Sequence, residues 1–256
     1  MTVVDILISP ANTDWPTLRA AAVEAEHRGF GAVHVFDHLA GLPLDGTTML
    51  ECFSLLGALC EVTDRVELGT MVANVWNRQV GTLVSAAASI ALISGRRFQL
   101  GLGAGASPAS VWAEEHHLTG AGLEPDLATR QARVREALDL AATEWAPDRP
   151  DAFATFPRPT ITPVTIVGVN SVALSRLAGQ RADGINVQWR HPRRDEFLAA
   201  ADAEAGDRTF LRTAYTAWSD ELLDPDHPDR RAMTERRIDR LVLAVFDDVE
   251  GWLRSR

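Results

Sequence analysis

The chain of 256 residues contains no lysine, only two cysteines and a single tyrosine, and no apolar run approaches the length of a membrane span. Each shortage excludes something. Arginine carries all the basic charge, and 25 basic against 35 acidic side chains leave a formal net charge of -10. A nucleic-acid binder needs a basic face to neutralise phosphates, and a protein held on anionic lipid needs the same, so neither partner is expected. The N-terminus "MTVVDILISP" lacks the basic start and cleavage site of a signal peptide, and no membrane association is expected. Cys52 and Cys60 stand eight apart in one helical pattern, too far along a helix to bond to each other. Free thiols in a cytoplasmic protein are the expectation.

What is present is a core-forming composition. The chain is 46% hydrophobic, enough for one sizeable core, and a single domain over residues 1–256 is expected. Strand-like apolar runs alternate with amphipathic helices. "VVDILIS" (Val3–Ser9) is followed by a helix with a Thr13/Asp14 cap, Pro16 in its first turn and Gly29 as its stop. "AVHVF" (Ala32–Phe36) is the second strand; the next helix is predicted from Thr48, with Glu51 completing a capping box. Strands over Arg65–Val72 and Arg97–Gly103 flank a helix over Val80–Ser94, and a further helix is predicted over roughly Ala128–Glu144. After a proline-rich surface connection the pattern resumes with "VTIVGV" (Val164–Val169), "GINVQW", "TFLRTAYTAW" and "RLVLAVF", each followed by a helix. Eight strand–helix units of this size predict a closed (β/α)8 TIM barrel, with an open doubly wound sheet as the rival.

The fourth strand ends in "GLGAGASP", where Gly101, Gly103 and Ala106 fit the loose G-x-G-x-x-[G/A] pattern of a dinucleotide-binding turn. In that fold the turn leads straight into a helix and usually follows the first strand. Here Pro108, Gly120 and Gly122 intervene before any convincing helix, so the dinucleotide reading fails. Two alternatives remain: the glycines let a helix pack closely, or they let the backbone approach a ligand at the barrel mouth.

Several segments together resemble the luciferase-like monooxygenase superfamily of flavin- and deazaflavin (F420)-dependent barrels. They are "EAEHRGFGAVHVFDHL", "LCEVTDRVELGTMVAN", "NRQVGTLVSAAASIALISGRRFQLGLGAGA" and, more weakly, "VGVNSVALSRLAGQRADGINV", in the family's order. The resemblance implies a flavin-like ring across the C-terminal mouth and a non-proline cis peptide at the end of the third strand, which maps onto Met71–Val72. It places Asp37 and His38 against the cofactor head as the candidate catalytic residues, with His38 as candidate proton donor or substrate orienter, since imidazole titrates near neutral pH. Asn74 and Asn77 are expected to meet a ring edge or the substrate, and Gly105 and Ala106 to lie near the ring. Val169, Asn170 and Ser171 open the helix after the fifth strand, where backbone N–H groups suit a cofactor phosphate; Asn or Ser there equally serves as a plain helix cap.

The implied activity is hydride transfer between F420 and a small organic substrate. FMN is the alternative cofactor, in a reductase or monooxygenase, and a barrel that binds a flavin without turnover is a further alternative. The Asp37–His38 pair and the GC-rich bias in composition, shared by the F420-making actinobacteria, favour F420. A flavin or F420 reductase as redox partner and a homodimer are also implied. Sugar-phosphate-oxidising relatives carry a Glu directly after the fourth-strand glycines, where this chain has Ala106, so that chemistry is not expected.

Other features are set aside at this level. "EEHH" (Glu114–His117) offers metal-type ligands, but neighbours on a helix diverge, and the stretch reads as a solvated loop with no metal. Ser107 is followed by Pro108 and is no nucleophile elbow. Trp76, Trp112, Trp189 and Trp218 read by default as core packing, and the charge run Asp224–Arg240 as a solvated helix and its approach.

Overall fold

A computed structural model describes residues 2–255. Eight parallel strands close into a barrel in sequence order, β1-β2-β3-β4-β5-β6-β7-β8, with β8 paired back onto β1. The strands are β1 (Val3–Ile8), β2 (Ala32–Val35), β3 (Glu67–Asn74), β4 (Phe98–Gly103), β5 (Val164–Gly168), β6 (Gly184–Gln188), β7 (Leu211–Ala217) and β8 (Arg240–Val245). The helices are α1 (Trp15–His27), α2 (Cys52–Cys60), α3 (Val80–Ser94), α4 (Ala113–Thr119), α5 (Leu127–Glu144), α6 (Val172–Arg181), α7 (Arg194–Ala205), α8 (Pro228–Glu235) and α9 (Val249–Arg254). The (β/α)8 expectation holds, because alternating strand and helix patterns leave the strands apolar on the outer face for the helices to cover. Helix α1, for example, lays Leu18, Ala21, Ala22 and Ala25 into the main core. Cys52 and Cys60 are both buried and unbonded to each other.

Three boundaries differ from expectation. Helix α2 starts at Cys52 rather than Thr48, because Glu51 is itself the cap and its carboxylate accepts the Ser54 N–H at 2.7 Å. Strand β3 runs on to Asn74, since the chain pairs with β4 again beyond a register shift between Thr70 and Ala73. Helix α4 occupies a stretch read as loop.

The lower barrel interior is polar. Arg240 of β8 chelates Asp5 of β1 at 2.7 and 2.8 Å and reaches Glu67 of β3 at 3.2 Å, while Gln99 donates to Glu67 at 2.7 Å. Strands β8 and β3 are not neighbours, so this contact crosses the barrel's inside. Charges buried this way are tolerated because each is paired.

Candidate functional site at the barrel mouth

The β4 glycines are explained by β3, neither by a helix nor directly by a ligand. The Met71–Val72 peptide is cis, and the β3–β4 ladder loses its register at the same place. A Cβ on Gly101 would strike the Thr70 carbonyl oxygen. One on Gly103 would lie 2.5 Å from Val72 Cγ2, and one on Gly168 in β5 would lie 2.8 Å from Val72 Cγ1. The glycines therefore open space for the irregular turn of β3, whose Met71 and Val72 line a cavity of about 650 Å³ at the C-terminal ends of the strands.

Polar side chains enter this cavity from the strand ends. His38, beyond β2, is about a quarter exposed, and its Nδ1 lies 3.0 Å from Glu115 Oε1. Its ring is stacked on Trp112, with centroids 3.3 Å apart and planes 14° from parallel. Glu115 Oε2 accepts the backbone N–H groups of Leu39 and Ala40 at 2.8 and 3.0 Å. Burial works to raise the Glu115 carboxyl, but the bonds from His38, Leu39 and Ala40 outweigh it and hold the group below its ordinary value. An ionised Glu115 only accepts, so His38 Nδ1 is the donor of that bond.

Asp37 has other employment. Its two oxygens take a bidentate pair from Arg78 at 2.6 and 2.7 Å, and Oδ2 also accepts the Asn74 N–H. Burial pushes the carboxyl upward against the opposing pull of Arg78. The residue borders the cavity, and these bonds also make it an anchor of the loop after β3 rather than a free acid. Asn74 and Asn77 are likewise spent within that loop. Asn74 Nδ2 bonds Asn77 Oδ1 and His116 Nε2, its Oδ1 accepts the Trp76 N–H, and Asn77 Nδ2 donates to the Asp37 carbonyl. Asn74 nevertheless borders the cavity, and Asn77 does not.

The far side of the cavity is built by β4, α5 and β5. Gly105 has φ +83°, and a Cβ there would meet Trp76 and Asn74, so only glycine suits the turn. Gly105, Ala106, Val169 and Asn170 line the cavity. Ser171 does not: it caps α6, accepting the Leu174 N–H at 3.3 Å, and also takes Gln131 Nε2. Arg130 of α5 was not foreseen. Its Nη1 donates to the Gly105 carbonyl at 3.1 Å, and its Nε is buried without an acceptor. Asn186 and Tyr215 complete the wall from β6 and β7; burial raises the Tyr215 phenol.

The "EEHH" stretch is helical and half buried rather than a solvated loop. In α4, Glu115 and His116 are 3% and 1% exposed, while Glu114 and His117 face outward. The adjacent Glu115 and His116 both turn inward, 3.8 Å apart, and support His38 and Asn74. Among the described residues no three His, Cys, Asp or Glu side chains converge on a metal position. No helix among them is long and apolar enough to cross a membrane.

Comparison with known proteins agrees with this architecture. The family model described as luciferase-like monooxygenase matches residues 3–214. An F420-dependent glucose-6-phosphate dehydrogenase of Beutenbergia cavernae is 31% identical over 226 residues, covering 82% of this chain and 65% of that protein. Its counterpart in Nakamurella multipartita is 32% identical over 174 residues, covering 64% of this chain and 49% of that one. The chain thus spans between about half and two thirds of the length of these relatives. Among solved structures, an F420-dependent secondary alcohol dehydrogenase in complex with an F420-acetone adduct superposes with a TM-score of 0.73 at 16% identity, covering 95% of this chain and 93% of that one. At that identity the likeness speaks for the fold.

Proposed function

The chain belongs to the luciferase-like monooxygenase family, and from that membership we propose that it is an F420-dependent oxidoreductase that moves a hydride between the deazaflavin and a small organic substrate. The observation that carries the proposal is His38, held by an ionised Glu115 and stacked on Trp112, with one ring nitrogen left for a ligand in the cavity. The F420 dependence of the relatives supports the choice of cofactor.

The residues present suit such a cofactor. Met71 and Val72 offer an apolar floor for a flat ring. The unpartnered Nε of Arg130 together with Ser107, Ser110 and Asn170 suits its phosphate. When bound, F420 accepts or releases a hydride at C5 of its ring. The protein's part is positioning and proton management. His38 Nε2 takes the substrate hydroxyl proton as the carbinol carbon is oxidised, and returns it in the reverse direction. The imidazolium formed in between keeps Glu115 as its counter-charge, and Trp112 fixes the plane of the ring.

The test is His38→Ala. F420 affinity stays within a few-fold of the parent while turnover falls by about 10²–10⁴. Equal loss of both, or unaltered turnover, contradicts the assignment.

A further inference from the structure

The cavity has two unlike sides. Phe36, Leu44, Met71, Tyr215 and Phe246 belong to one apolar cluster built on Leu7, Val242 and Ala244, and all five line the cavity on the side of β7, β8, β1 and β2. The single cation that lines it among the described residues, Arg130, stands on the opposite side with Ser107, Ser110 and Asn170, at the ends of β4 and β5. His38 projects from beyond β2, with Phe36 edge-on to its ring at 5.6 Å. On the apolar side, besides His38, the polar groups are few: the Asp37 carboxylate, both of whose oxygens are taken by Arg78, the Tyr215 phenol, held protonated by burial, and the Asn186 amide, whose Nδ2 is already bonded to Thr213 at 2.7 Å.

From this division we infer that the apolar side is the substrate subsite and takes an uncharged alcohol or ketone with a hydrocarbon body. The inference rests on the functional reading above and narrows it. A phosphate or carboxylate placed among Phe36, Leu44, Met71 and Phe246 loses its hydration and gains no cation, a heavy penalty. A hydrocarbon body gains from the same surface in proportion to the area it covers. The reaction then balances simply. The carbinol C–H bond breaks with its electron pair leaving as hydride for F420, the O–H proton passes to His38 Nε2, and the C=O bond forms. The phosphorylated sugar named for the relatives does not suit this side.

The experiment uses the F420-loaded protein, with loading verified by fluorescence titration. Secondary alcohols of increasing chain length are assayed beside glucose 6-phosphate, and the matching ketones are titrated calorimetrically as an activity-independent readout. Catalytic efficiency and ketone affinity both rise about fourfold per added methylene until the subsite is filled, and glucose 6-phosphate is not oxidised. Phe246→Asn flattens the ketone series by removing apolar surface while F420 affinity is kept. F420 binding with a flat alcohol and ketone series, or with preference for glucose 6-phosphate, overturns this inference alone. Failure of F420 to bind overturns the functional reading and this inference with it.

Discussion

Glu115 Oε1 lies 3.0 Å from His38 Nδ1, although 77 positions separate the two residues in sequence. The contact ties the loop after β2 to helix α4, and it decides which imidazole nitrogen faces the cavity. Glu115→Gln keeps an oxygen for the Leu39 and Ala40 N–H groups but removes the charge opposite His38. Turnover is expected to fall by about 10- to 100-fold, with substrate KM and F420 affinity nearly unchanged. A loss that appears in KM or in cofactor affinity would assign Glu115 a merely structural role.

The same carboxylate makes stability depend on pH. Its folded value lies below the ordinary 4.5, so the folded state prefers it ionised. That contribution is fully present above about pH 4.5 and is lost as pH falls through the lowered folded value. Melting temperatures of the parent and of Glu115→Gln are therefore expected to differ by a constant amount near neutrality and to converge in acid. A gap that widens below pH 4.5 would reverse the sign of the argument.

Gly103 and Val72 form a size-matched pair. Gly103→Ala drives a methyl into Val72 Cγ2 and is expected to cost about 1–3 kcal/mol of stability. Val72→Ala in the same chain removes the obstructing methyl groups and recovers much of the loss, so denaturant unfolding of the two single variants and the double variant should show strong coupling. Additive losses would mean that Gly103 is required for another reason.

Asp37 and Arg78 are a buried bidentate pair with the loop after β3 hung from them. Asp37→Asn leaves the guanidinium only the more exposed Glu51 carboxylate, 3.0 Å away, as counter-charge, at a cost of up to about 3–5 kcal/mol, read by urea unfolding. If the variant is stable but inactive, Asp37 belongs to the chemistry after all.

Arg130 should separate phosphate recognition from ring recognition. Arg130→Met is expected to weaken F420 by roughly 10- to 100-fold, the worth of a charge-assisted hydrogen bond. Binding of the deazaflavin riboside that lacks the phosphate stays level, and equal weakening of both ligands would move Arg130 away from the phosphate.

The barrel was legible because its signals are periodic and local. Strands such as Val3–Ile8 and Arg240–Val245 are apolar runs of ordinary length, and a cap such as Asp14 announces its helix within three residues. The turn at Met71–Val72 and the candidate His38 were reached through resemblance, which no periodicity supplies. What stayed hidden depends on contacts between distant segments. Glu115 looks like one solvated acid among four polar neighbours until α4 folds onto the loop after β2. Arg130 is one arginine in a helix with several, and only the Gly105 carbonyl and its buried Nε single it out. Asp37 misled in the other direction: its position matched a cofactor contact, while Arg78, 41 positions on, had already claimed both oxygens.

The central claim is most directly tested by titrating the purified protein with F420 and, separately, with FMN, following fluorescence. The account predicts saturable binding of F420 that is tighter than FMN by about tenfold or more, a difference of at least ~1.4 kcal/mol. Tighter binding of FMN, or binding of neither, would contradict it.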